Sequence, residues 1–296
     1  MRILITGAGG QLGRALIPTL RGHDVTALRH RDLDISDREA VRSAIKFSAP
    51  EVVINAAAYN DVDGAETHIE VAEAINHRGP RILAEESATK SITIVHVSTD
   101  YVFDGSAGRP YREDDRPNPL SVYGRSKRAG EVAVIESNTR HYVVRTAWLF
   151  EANGKNFLNA MRAVAARPEV RVVGDQFGSP TYAPHLAKAI ASLIDGSEFG
   201  IYHLAGRGGV SRHGLVRELY TLLGAEAKVV AVNHDAFPTA AVRPLNTVLS
   251  TIRDLAPVMP AWQDGVREFV SDLRCTALDD RLLTSGKADA DTNEDQ

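Results

Sequence analysis

The chain has 296 residues, 24% of them charged, a formal net charge of −4 at pH 7 and one cysteine, Cys275. The mild acidity argues against a nucleic-acid partner, and a lone cysteine excludes an internal disulfide and suits a reducing cytoplasm. No apolar run approaches the ~20 residues of a membrane helix, no signal peptide is expected at the N-terminus, and the length allows one large domain or two intimate ones.

The first half alternates strand and helix patterns. RILIT is a strand over 2–6, and Leu12, Leu16 and Leu20 then recur at helical spacing. A second strand is predicted over 24–28, a helix over 37–47, a third strand over 51–58 and one long helix over 69–88. A strand over 92–99, a Pro- and Gly-rich loop, a helix from about Val122 and a strand over 141–147 complete the series. Continuously apolar strands alternating with helices predict a doubly wound, mostly parallel α/β sheet of Rossmann type.

The second half is more mixed, with helices predicted over 156–166, 184–194, 212–223 and 263–273 and strands over 171–173, 200–204 and 228–232. The expected organisation is a dinucleotide-binding domain over 1–150 and a smaller, interleaved α/β substrate domain over 151–274. A segment near 184–196 would return to the first domain. The polar, acidic stretch 275–296 reads as a disordered tail.

Two clusters carry chemistry. TGAGGQLG, from Thr6 to Gly13, lies between the first strand and first helix. Glycines spaced by three permit a tight turn, let the backbone approach a pyrophosphate and let helix and strand pack closely. The helix N-terminus offers free N–H groups to that phosphate. Gly7, Gly10, Gln11, Leu12 and Gly13 are therefore candidate cofactor contacts. No acid stands directly at the end of the second strand, where one would hold the ribose hydroxyl of NAD. Arg29 or Arg31 there would meet a 2′-phosphate, or else both are solvated surface arginines, so NADPH is expected, with NADH as the lesser alternative. Asp34 and Ile35 are candidates to flank the adenine.

The second cluster opens with VSTDYVFDG, where a strand breaks into hydroxyls and a carboxylate at Thr99, Asp100 and Tyr101. VYGRSK then places Tyr123 and Lys127 four apart, on one helix face. A nearby ammonium is expected to lower the phenol's pKa from ~10 and make Tyr123 a usable acid and base. A Thr99 hydroxyl would donate to the same substrate oxygen. Tyr-x-x-x-Lys alone is weak. It gains weight from the glycine turn upstream and the hydroxyl-bearing strand end between them.

With an NAAA strand end added, these motifs resemble the extended short-chain dehydrogenase/reductase superfamily. Within it, AAYNDVDGAE, STDYVFDG, RTAWLF, DQFGSPT and FPTAAVRPLNT resemble the dTDP-4-dehydrorhamnose reductase family over about residues 1–273. The resemblance implies a cytoplasmic enzyme that reduces the 4-keto group of a nucleotide-linked 6-deoxyhexose with NADPH. It implies Thr99, Tyr123 and Lys127 as catalytic residues and a cofactor passing close to Ala56, Ala57 and Ala58. It implies substrate contacts from Asn60, Asp100, Tyr101, Trp148, Asn156, Phe157, Arg243 and Asn246, and a cleft lined by residues 176–181. A core position for Trp148 and a structural salt bridge for Arg243 remain open alternatives.

The chain departs from the family at Asn60 and Asp61, usually Thr and Ala, which leaves the exact sugar undecided. Some members dimerise through a metal held partly by a Glu two residues past the third glycine. Ala15 stands there, so no metal is expected, and a monomer or weak homodimer follows. Two other readings compete: a nucleotide-sugar epimerase on the same scaffold, and a non-catalytic NADP-binding regulatory subunit.

Overall fold

The computed structural model describes residues 1–196 and 198–288. In chain order the first elements are β1 (Arg2–Thr6), α1 (Gln11–Thr19), β2 (Asp24–Leu28), α2 (Arg38–Ser48), β3 (Val52–Asn55), α3 (Ile69–Glu73), α4 (Gly79–Ala88), β4 (Thr93–Thr99), α5 (Val122–Ser137) and β5 (His141–Thr146). There follow β6 (Leu149–Phe150), α6 (Phe157–Ala163), β7 (Glu169–Val173), β8 (Phe177–Gly178), β9 (Thr181–Tyr182), α7 (Ala183–Ile194), β10 (Gly200–His203), β11 (Val210–Ser211), α8 (Arg212–Leu223), β12 (Lys228–Val232) and α9 (Trp262–Ala288).

Six strands form one sheet in the order β2-β1-β3-β4-β5-β10. Every pairing within it is parallel. The expected doubly wound parallel sheet is thus the observed one. The chain leaves β1 toward β2 and then crosses to β3 on the other side. That reversal opens a crevice at the carboxyl ends of β1 and β3, where ligands of such sheets bind.

Strand side chains alternate between the two faces. Ile3, Ile5, Ile54 and Val144 share a core with Leu12 and Leu16 of α1 and Leu186 and Ile190 of α7. Leu4, Val53, Ile94 and Val143 pack instead against α2, α4 and α5 through Val41, Leu83 and Val134. A third core, built from Phe150, Leu158, Val172, Leu219 and Phe269, holds α6, α8 and α9 against the short strands of the second half. Among the described residues, no helix is long and apolar enough to cross a membrane.

Two elements differ from the sequence expectation. The helix predicted over 69–88 is interrupted by a π-helical turn over Ala74–Arg78. Pro80, lacking an N–H, cannot bond back to residue 76 and so permits the wider turn. Helix α9 continues past Cys275 to Ala288, through the first part of the expected tail. Its Leu, Ala and Arg residues are helix formers and no proline interrupts it. Residues 289–296, the rest of that expected tail, lie outside the described residues.

Candidate active site

The glycine turn is a cradle that only glycine can form. Gly7 sits at φ +70°, and a Cβ there would lie 2.5 Å from the Ala57 nitrogen. A Cβ on Gly13 would lie 2.4 Å from the Gly7 carbonyl oxygen. Segment 56–58 and α1 therefore both press against this turn. Gly10 donates its N–H to the Gly7 carbonyl at 3.0 Å and starts α1 with no side-chain cap. The Leu12 side chain is buried in the core, leaving only its backbone to face a ligand.

The Arg29 stem lies against Gly9, 3.6 Å from where a Cβ would stand. Asp32 is turned back on its own loop, where its carboxylate accepts the Arg29 N–H at 3.0 Å. Asp34 likewise accepts from Ser36, through its N–H at 2.9 Å and its hydroxyl at 2.7 Å. The Ile35 side chain is buried against Gly79, leaving its backbone to face a ligand.

The hydroxyl cluster assembles at the carboxyl edge of β4. Thr99 ends that strand, and Tyr123 is the second residue of α5. The start of α5 is held twice: the Ser121 hydroxyl accepts the Gly124 N–H at 3.1 Å, and the Glu66 carboxylate accepts the Val122 N–H at 2.8 Å. Glu66 belongs to AAYNDVDGAE, and the other acids of that stretch are also structural. Asp61 accepts the Gly64 N–H at 2.9 Å, while Asp63 pairs with Arg243. Thr99 Oγ1 accepts the Tyr101 N–H at 3.2 Å and donates to Asp100 at 3.1 Å, and Tyr123 lines the same cavity.

Electrostatics here correct one sequence expectation. Lys127 does not lower the Tyr123 pKa. Its Nζ donates instead to the Val97 carbonyl at 2.6 Å. Burial, reinforced by Asp100 and Tyr101, pushes the Tyr123 phenol well up against a smaller downward pull from Thr99. Tyr123 is thus a firmly protonated acid. Burial brings Lys127 down to about 8 against the attraction of Glu131. It raises the Asp100 carboxyl to about 6 despite hydrogen bonds from Thr247 and Thr99 and the charge of Arg212.

Beneath this cluster lies a buried polar layer that the sequence reading missed. Arg145 donates to both oxygens of Glu131, at 2.8 and 2.9 Å, and Ser98 donates to the same carboxylate at 2.6 Å. Glu131 and Arg145 are 0% and 1% exposed, so each requires the other. A charged residue inside the apolar strand HYVVRTA was the available signal. Asn76, in the π-helical turn, clamps the main chain of Tyr59 by accepting at 2.8 Å and donating at 3.1 Å, and donates to Ser126 at 3.1 Å.

Thr99, Asp100, Tyr101 and Tyr123 line a cavity of about 200 Å³ together with Trp148, Phe157 and Arg212. Trp148 adopts φ +45°, unusual for a bulky residue, with its ring against Gly178. A cleft of about 910 Å³ adjoins, lined by Phe157, Arg167, Arg171, Gln176, Arg212 and Arg243 among others. Of the predicted substrate residues, Asp100, Tyr101, Trp148, Phe157 and Arg243 line these spaces. Asn60 is exposed and lines neither.

Asn156 is absorbed in structure as the cap of α6, accepting the Asn159 N–H at 2.9 Å, and it donates to Gln11 at 3.3 Å. Asn246 accepts the Val248 N–H at 3.2 Å within its own turn. Arg243 is engaged by Asp63 through both nitrogens, at 3.1 and 2.8 Å, the salt bridge left open by the sequence. Arg212 is the further residue that sequence reasoning missed. The signal was a cation at a helix start, where the dipole disfavours it.

Comparison with known proteins follows this geometry. The family model described as "RmlD substrate binding domain" matches residues 1–275. The chain is 46% identical over 262 residues to a Streptomyces griseus protein named dTDP-4-dehydrorhamnose reductase, covering 85% of this chain and 86% of that one. A Mycolicibacterium smegmatis protein of the same name is 42% identical over 282 residues, covering 91% and 85%. Among solved structures, a dTDP-4-dehydrorhamnose reductase from Bacillus anthracis in complex with NADP superposes with a TM-score of 0.89 at 34% identity, covering 92% of this chain and 99% of that one. A UDP-glucose 4-epimerase from Thermus thermophilus, at 21% identity and a TM-score of 0.75, shares the fold.

Proposed function

Because the chain belongs to the RmlD substrate binding domain family, we propose that it reduces the 4-keto group of dTDP-4-dehydro-6-deoxy-L-mannose to dTDP-L-rhamnose, or of a closely related nucleotide 4-keto-6-deoxysugar, with NADPH as reductant. One observation carries this reading: the Tyr123 phenol and the Thr99 hydroxyl line one small cavity at the carboxyl edge of a dinucleotide-type sheet. The glycine turn fits a pyrophosphate, since it leads into the N-terminus of α1, whose first N–H groups carry no side-chain cap.

When bound, the dinucleotide supplies the hydride that C4 of the sugar accepts. The chain's own residues handle the oxygen. Thr99 and Tyr123 donate hydrogen bonds to the ketone oxygen, and Tyr123 gives up its proton as negative charge develops there, leaving an alcohol. Burial that keeps the phenol protonated suits it to start as the acid. The resulting tyrosinate sits in the first turn of α5, whose N-terminus stabilises an anion, with Lys127 one turn along the same face. The Trp148 and Phe157 rings offer apolar walls for the deoxy carbon of the sugar.

The test is oxidation of NADPH, followed by its absorbance, with enzymatically generated dTDP-4-keto-L-rhamnose and Tyr123→Phe in parallel. Turnover by the wild type should fall about 10²–10⁴-fold in the variant with NADPH affinity unchanged. Wild-type protein that binds NADPH but oxidises it with no 4-keto nucleotide sugar would overturn the proposal in favour of a regulatory, NADP-binding role.

A further inference from the structure

Two side chains, Phe157 and Arg212, line both the small cavity and the larger cleft, and Arg212 is the charged one. They form the neck between the two spaces. Arg212 opens helix α8 just after its cap, Ser211. A cation there opposes the helix dipole, so the helix does not explain it.

The surroundings hold the guanidinium in place: the Asp100 carboxyl feels its charge but forms no ion pair with it. It lies 4.3 Å from the Trp148 ring centre and 5.1 Å from that of Phe157, and its Nε donates to Gln176 at 3.1 Å. Two aromatic faces and one amide fix its plane. Among the described residues it makes no salt bridge, whereas the nearby Arg243 is paired through both nitrogens with Asp63.

We propose that Arg212 is an anion anchor that binds the diphosphate of the nucleotide sugar at the neck, and that it sets substrate affinity for this enzyme. The proposal rests on the reductase reading. With the keto sugar against Thr99 and Tyr123, and the nucleoside in the larger cleft, the phosphates must pass between Trp148, Phe157 and Arg212. A planar, preoriented guanidinium matches phosphate oxygens in pairs, which a lysine does not. Trp148, held at its positive φ, acts as a positioning residue for that fork.

The experiment measures binding of dTDP and of thymidine, separately, to the wild type, Arg212→Met and Arg212→Lys, with NADPH affinity and circular dichroism as folding controls. Arg212→Met should weaken dTDP at least ~10-fold, the size of one charge-assisted contact, and leave thymidine and NADPH unchanged. Arg212→Lys should recover part of the loss, and in turnover KM should rise more than kcat falls. Equal loss of thymidine and dTDP would overturn the proposal, since it would mean that packing in the cleft had been damaged. Wild-type binding of dTDP matched by both variants would overturn it and leave the reductase reading standing. Wild-type protein that binds no dTDP and reduces no nucleotide sugar would overturn both.

Discussion

Lys127→Met tests the catalytic role proposed for the lysine apart from its effect on stability. The side chain is 2% exposed, its Nζ is bonded to the Val97 carbonyl at 2.6 Å, and its pKa is lowered from 10.5 to about 8. At ~1.4 kcal/mol per tenfold change in proton affinity, holding the ammonium charged in the fold costs about 3 kcal/mol near neutrality. Methionine keeps the buried stem and removes that cost, but leaves the carbonyl unpaired, a loss of ~1–3 kcal/mol. The variant should therefore lie within ~2 kcal/mol of the wild type at pH ~7 while losing turnover by roughly 10²–10⁴-fold.

The pH dependence has a definite sign. A lysine whose folded pKa lies below its unfolded value carries its full cost below about 8, and the cost fades as pH rises toward 10.5. Wild-type stability should rise relative to Lys127→Met by about 2 kcal/mol between pH ~7 and ~9.5, read from paired urea-unfolding curves. A large destabilisation of the variant, over ~4 kcal/mol and constant across that range, would refute the reasoning. Lys127 would then be a stabilising structural group.

Gly13→Ala should cost ~1–3 kcal/mol of stability and weaken NADPH binding strongly, because the new methyl would lie 2.4 Å from the Gly7 carbonyl oxygen; cofactor fluorescence titration beside thermal melting reads both. Glu66→Ala removes the acceptor of the Val122 N–H and should cost ~1 kcal/mol, with a fall in kcat because Tyr123 is the next residue; an unchanged kcat would show that α5 keeps its start without this bond. Arg29→Ala should lower the preference for NADPH over NADH, since its stem lies along Gly9 while Asp32 is occupied by its own loop; equal kcat/KM ratios in variant and wild type would remove Arg29 from cofactor selection.

The periodicity of the first half, the glycine turn and the order Thr99, Tyr123, Lys127 were legible because each is written in neighbouring residues. An apolar run makes a strand, a glycine admits a left-handed turn, and a four-residue interval shares a helix face. The resemblance of longer stretches pointed to the family that the comparisons then showed. The same local reading missed the π-helical turn, where the effect of Pro80 depends on how α4 continues, and the helix beyond Cys275. Nor does it show that packing, a cap and a turn engage Ile35, Asn156 and Asn246.

Local sequence thus determined the sheet, the cradle and the identity of the catalytic candidates. Tertiary structure alone decided their protonation and partners. It turned Lys127 onto Val97, pushed Tyr123 upward, closed Arg243 on Asp63 and set Arg212 between two rings without an ion pair. Each outcome depends on burial and on charges brought together from distant parts of the chain. Desolvation and Coulomb energy follow distance in space, and sequence spacing reports that distance only within one element.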